Sequence, residues 1–214
     1  MTETGSRAAF LDRARARLAG GIPLNPAHPL PPMPDGVPLV RSRRVDPNDL
    51  VASFERNATG VEAIVHHGLD AVAQIVERHE VRRAVVTEEP EAQEVARLLE
   101  GLGVEVGPVT IEAAATADLG VTSAVAGVAV TGSVVVSSTA AGSRVGSLLP
   151  PTHLCVLPVE RLVAMPADVL RPMREPPANL VFITGPSRSG DIEQILTLGV
   201  HGPMTVHIVL SRPG

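Results

Sequence analysis

Residues 179–207 read NLVFITGPSRSGDIEQILTLGVHGPMTVH. The run Leu180–Ile183 is apolar and β-branched, which predicts a buried strand. Gly185-Pro186-Ser187-Arg188-Ser189-Gly190 then makes a sharp polar loop. Asp191 opens a predicted short helix, because Ile192, Ile195, Leu196 and Leu198 recur at helical spacing and Gly199 ends it. A second tight loop, Gly199 to Pro203, leads into a last strand from Thr205 to Leu210. Strand, loop, helix, loop and strand predict a βαβ unit. In open α/β sheets the carboxyl ends of strands carry the ligand. That position would hold Ser187, Arg188 and Ser189, beside the amides of a starting helix. Such amides and the positive end of the helix suit an anion, and the planar guanidinium of Arg188 suits a carboxylate or phosphate. The alternative is structural: Ser189 caps the helix while Asp191 and Glu193 neutralise its dipole.

Elsewhere the chain alternates strands and helices. Val61–Val65 and Arg83–Thr87 read as strands. Leu69–His79 reads as a helix, as does the stretch from Pro90 to Leu99, with Glu88, Glu89 and Glu91 at its positive end. Val104–Val106 and Val109–Ile111 read as short extended pieces, and Asp49–Asn57 as a helix. This alternation predicts a parallel, doubly wound sheet. The pattern changes after Leu119. Ala126–Val130 and Ser133–Ser137 flank Thr131-Gly132, a hairpin signal. The small-residue loop Thr139–Gly146 follows, and Arg144 is the only charge between Leu119 and Val159. An Arg among small residues fits either a ligand contact or a buried structural pair. His153–Leu157 reads as a strand and Ala167–Arg174 as a helix. At the other end, Ser6–Leu18 reads as a helix. Seven prolines crowd the sixteen residues from Pro23 to Pro38. They exclude regular helix and favour an extended linker. The expected organisation is an N-terminal helix and Pro-rich linker over 1–40 and one domain over 41–214.

Composition narrows the chemistry. The 214 residues include Phe10, Phe54 and Phe182 as the only aromatics, so the core is aliphatic. Stacking platforms for single-stranded nucleic acid are missing, and a net charge of −5 gives no bulk attraction to nucleic acid or anionic membrane. All 18 basic residues are Arg. Without lysine there is no Schiff base and no Walker-type phosphate clamp. The single Cys155 cannot form an internal disulfide, hold an iron–sulfur cluster or build a structural zinc site. It sits in an apolar run that predicts a buried, inert thiol. Apolar runs are too short for a membrane span, so the cytoplasm is the expected location. Among the histidines, His66-His67 point to opposite faces of a strand and cannot chelate one metal together. No chelating spacing of His and acid is present, so no metal site is expected. His201 is the candidate general base, with Asp191 as the group that would orient it.

Three stretches occur in a familiar order: Gly120–Val136, Ser147–Leu154, and GPSRSGDIE followed by GVHGP. Together they closely resemble the lactate-utilisation protein C family, the LUD domain, from about Val61 to Leu210. The resemblance implies an α/β, Rossmann-like parallel sheet of the sugar-phosphate-isomerase and CoA-transferase (NagB/RpiA/CoA-transferase-like) type, with a hairpin insertion. It implies a part in oxidising L-lactate to pyruvate alongside iron–sulfur partner proteins. A homo-oligomer is compatible with it. The ligand would be a small carboxylate or a phosphate-bearing molecule, with CoA or a nucleotide left open. It would lie at Arg144, Ser147, Gly185, Pro186, Ser187, Arg188, Ser189 and Glu193. One departure stands out. The family usually has glutamate before the Thr-Gly of the hairpin, and here that residue is Val130. No other acid lies between Asp118 and Glu160, so acyl transfer through a carboxylate at this turn is not expected. Two other readings stay open: a binding or assembly subunit without chemistry, and an isomerase or hydrolase using His201 and Asp191.

Overall fold

A computed structural model describes residues 45–138, 144–174, 177–189, 197–198 and 201–212. All of them fall within one compact unit, residues 42–214. The expected helix at 6–18 and the Pro-rich linker lie outside the described residues.

The frame is a six-stranded sheet, parallel throughout. Its strands are β1 (Ile64–His67), β2 (Arg83–Val86), β3 (Glu105–Pro108), β4 (Leu119–Ser123), β7 (Thr152–Pro158) and β12 (Thr205–Ser211), in the spatial order β1-β12-β7-β4-β2-β3. A second, mixed sheet holds β5 (Ala126–Val128), β6 (Ser133–Ser137), β8 (Leu162–Val163) and β9 (Leu180–Ile183), in the order β8-β5-β6-β9. Side chains alternate across the large sheet. Leu154, Val156 and Val209 face one way and pack under α2 (Ala71–Arg78) and α3 (Pro90–Gly101), against Val72, Ile75, Val95 and Leu99. Cys155, Leu157 and Ile208 face the other way. They meet Phe54 and Ala58 of α1 (Leu50–Thr59), and Val134 and Val136 of the small sheet. The outer face of the small sheet packs Val128 and Val135 against Val169 of α6 (Pro166–Leu170).

The hairpin Ala126–Ser137 forms as the sequence indicates, with Ala126 opposite Val135. It is half of a sheet rather than an appendage, because β9 pairs antiparallel with β6, Val134 opposite Ile183. That pairing overturns the βαβ reading of residues 179–207. β9 belongs to the small sheet and β12 to the interior of the large one, so residues 184–204 cross between sheets. The apolar run predicts a strand correctly but carries no information on which edge it will join. The expected helix also does not reach Leu198. Thr197–Leu198 (β11) pairs antiparallel with Arg188–Ser189 (β10). Ser189 is thus a strand residue, while Asp191 and Glu193 lie outside the described residues. Two smaller corrections are local. The first strand begins at Ile64, since Val61 and Ala63 both donate to the Ala58 carbonyl in the turn after α1. Ile111–Ala114 is a helical turn, α4, not a strand. The Thr110 hydroxyl accepts from Ala113 N at 3.1 Å and caps it.

Candidate functional site

The signature loop lies at the amino-terminal edge of the large sheet, the edge opposite to that expected of an α/β ligand site. Three contacts fix this. Ser187 N donates to Pro203 O at 2.9 Å, two residues before β12. Met204 N donates to Pro151 O at 2.8 Å, just before β7. The Arg188 guanidinium donates to Val61 O at 2.9 Å, in the turn before β1.

Gly185 explains how the loop comes so close. Its φ is +73°, and a Cβ there would stand 2.0 Å from Val61 O. Only glycine fits. Pro186 is buried beside it. Arg188 pairs with Glu62 at 3.0 Å as well as with the Val61 carbonyl, so its guanidinium fastens the loop to the α1–β1 turn. Glu62 itself holds a left-handed backbone, φ 66°. Such a conformation costs a non-glycine residue energy and needs surrounding structure to hold it. The hairpin turn reaches the same place. Ser133 Oγ donates to Thr131 Oγ1 at 2.7 Å and contacts Thr184 Oγ1 at 2.7 Å. Asn57 of α1 donates to Ala129 O at 2.7 Å. Gly132, φ +66°, presses on the end of α1, where a Cβ would lie 2.1 Å from Ala58 N. Val130, just before this turn, packs with the apolar cluster on the outer face of the small sheet.

A third segment joins from the small-residue loop. Arg144 leads into α5 (Val145–Leu148), and the Ser147 hydroxyl donates to Arg144 O at 3.0 Å. Gly202 brings this turn to the signature loop. A Cβ on it would lie 3.2 Å from Ser187 Cβ and 4.0 Å from Leu148 Cδ2. Gly202 thus touches both Ser187 and Leu148, and the exposed Arg144 lies one helical turn before Leu148. Ser147 is buried and His201 is exposed on the adjoining loop. Of the sequence-selected residues, Gly185, Ser187 and Arg188 share one loop, and Arg144 and Ser147 lie on the α5 segment that meets it through Leu148 and Gly202. Glu62, Ser133 and Thr184 were not selected. Hydroxyls in strand ends and a glutamate in a turn carry no spacing that marks them.

The remaining histidines build a different feature. His207, almost wholly buried, contacts His66 Nε2 through Nδ1 at 2.9 Å and His79 Nε2 through Nε2 at 2.8 Å. A neutral imidazole has one donor and one acceptor, so His207 donates to one of these rings and accepts from the other, in the sense its tautomer sets. Burial, then the neighbouring rings, lowers His207 to about 3. Burial also lowers His66 and His79. On the opposite face His153 meets Thr122 Oγ1 at 2.9 Å and is lowered by burial to about 4. Cys155 is fully buried, and burial pushes its thiol up to about 12. It is inert, as its apolar run indicates. Among the described residues no three His, Cys, Asp or Glu side chains converge for a metal ion. No helix among them is long and apolar enough to cross a membrane.

Residues 75–211 match the model of the LUD domain. The chain belongs to the LUD-domain family. Curated relatives carry the name Lactate utilization protein C. That of Shouchella clausii is 38% identical over 101 residues, covering 44% of each chain. That of Halalkalibacterium halodurans is 32% identical over 148 residues, covering 63% of this chain and 64% of the relative. That of Bacillus subtilis is 35% identical over 111 residues, covering 49% of this chain and 46% of the relative. The chain thus spans about half the length of the curated relatives it matches. A DUF162 family protein from Deinococcus radiodurans shares the fold, with a TM-score of 0.55 at 19% identity, over 79% of this chain and all of that one. Within this LUD domain, the matched segment contains Arg144, Ser147, Ser187 and Gly202, but not Glu62.

Proposed function

We propose that this LUD-domain chain is a component of an L-lactate utilisation system that binds a small carboxylate or phosphate-bearing ligand at the amino-edge loops. The observation that supports the reading is the approach of Gly202 to Ser187 and to Leu148, one helical turn after the exposed Arg144, inside the segment matched to the family. In this reading Arg144 supplies the cation for the anionic group. The Ser187 segment supplies a hydroxyl, while the Ser147 hydroxyl braces Arg144 through its carbonyl. Arg188, spent on Glu62 and Val61, positions the loop rather than the ligand. His201, on the same loop as Gly202, is the proton acceptor if the ligand is turned over.

Oxidising lactate to pyruvate removes two electrons and two protons. One buried cysteine offers no thiolate set for a cluster. The electron acceptor in this reading belongs to iron–sulfur partner proteins. Leu149 and Met204, 46% and 54% exposed, flank the loops and give an apolar rim for such a partner. The same rim favours a second reading, an assembly subunit without chemistry of its own.

Thermal shift and titration calorimetry with L-lactate, pyruvate, inorganic phosphate and CoA separate the two. Saturable binding that is lost in Arg144→Ala supports the ligand site. Silence towards all four, with co-purification of an iron–sulfur protein, supports the assembly role and overturns the ligand site.

A further inference from the structure

The opposite edge of the same three strands holds a cavity that the reading above does not use. The carboxyl ends of β1, β12 and β7, neighbours in the sheet, open into a hollow of about 380 Å³. It is lined by Val51, His67, Gly68, Val159, Leu210 and Arg212. This is where an α/β sheet ordinarily receives a ligand, and the volume lies at the small end of ligand sites.

Each wall follows from the chain's course. His67 is the last residue of β1, and Gly68 turns the backbone away with φ +83° while its N–H bonds Leu210 O at 3.0 Å. Leu210 is 3% exposed and gives an apolar floor. Val51 comes from the first turn of α1, and Val159 directly follows β7. Both belong to the apolar cluster beneath. Polar groups sit at the mouth. Glu55, one turn beyond Val51 on α1, lies 3.1 Å from His67 Nε2 at the mouth, a distance that becomes an ion pair when the imidazole is protonated. Arg212, exposed just after β12, is the cation of the mouth. An apolar floor under the Arg212 guanidinium suits an amphiphilic anion. The carboxylate meets Arg212 while the hydrocarbon displaces water from Val51, Val159 and Leu210.

We propose that this hollow is a second binding site, for a small organic monocarboxylate with an aliphatic body. β12 separates it from the amino-edge loops by about 20 Å, seven residues at strand rise. The two sites can therefore be read separately.

The test uses hexanoate as probe, inorganic phosphate as the control anion, and ¹⁵N-labelled full chain. Hexanoate should shift the amides of Gly68, Leu210 and Arg212 saturably, and phosphate should not match it. Arg212→Gln should weaken binding by about tenfold or more, the scale of one lost charge-assisted hydrogen bond. Val159→Phe, which fills the hollow, should abolish it, and Arg144→Ala should leave it unchanged. Melting curves without ligand establish that each variant folds, and the wild-type shift map stands without them. Absence of saturable shifts at those amides overturns the proposal. So does an equal response to phosphate, or a hexanoate response centred on Ser187 and Gly202 and lost in Arg144→Ala.

Discussion

Gly185 and Gly103 both have φ near +80°, yet they differ in what stands beside them. A Cβ on Gly185 meets the Val61 carbonyl at 2.0 Å, whereas nothing lies within 4 Å of one on Gly103. Gly103→Ala should cost about 1 kcal/mol, the left-handed penalty alone. Gly185→Ala should cost more than about 3 kcal/mol, because a backbone atom cannot yield. Urea denaturation of the two variants checks this difference, and equal costs would contradict the packing described. The buried histidines make a second residue-scale prediction. Their folded values are depressed below the ordinary 6.5, His207 to about 3 and His153 to about 4. The folded state therefore favours neutral rings. The stability tied to them is complete above pH 6.5 and is lost as pH falls from there towards 3. For His153 alone the displacement corresponds to about 3 kcal/mol. Stability should be level above pH 7 and fall steeply below 6, as followed by thermal melts across pH. At this scale the sequence was legible for Cys155, whose apolar neighbours foretell burial. It was opaque for His207, whose partners His66 and His79 lie more than a hundred residues away in the chain.

At the scale of elements, the signature loop is held by a few polar contacts over a glycine. Arg188 and Glu62 are 34% and 62% exposed, so water screens their pair. Arg188→Ala should lower global stability by under about 1 kcal/mol. It should still loosen the loop, seen as faster amide exchange at Gly185 and Ser187. Unchanged exchange would show that Gly185 packing alone holds the segment. Strand and helix positions were legible here because period-2 and period-3.6 patterns act locally. β2, α3, β7 and the β5–β6 hairpin fall within a few residues of their expected places. The failures differ in cause. β9 is placed by β6, far earlier in the chain, whereas Thr197–Leu198 folds back onto the nearby Arg188–Ser189 and the start of β1 is set by the turn that bonds Ala58 O. Apolar periodicity reports burial without naming the neighbour.

For the whole molecule, a large parallel sheet with α2 and α3 on one face and a smaller mixed sheet on the other accounts for the near-absence of aromatics. Val, Leu, Ile and Ala fill both interfaces. The α/β class was legible, since alternating strands and helices leave few alternatives. The second sheet was not, because it joins the legible hairpin to β8 and β9 from two other stretches of the chain. This architecture places the signature loops at one edge of β1, β12 and β7 and an apolar hollow at the other. The reading of the chain as a ligand-binding LUD domain rests on the first of these edges. Its most direct test is an NMR titration of the full chain with L-lactate, repeated on Arg144→Ala. The account predicts saturable shifts at the amides of Ser147, Ser187 and Gly202 in the wild type and none in the variant. Shifts that persist unchanged in Arg144→Ala, or a wild type that does not respond at these amides, would contradict it.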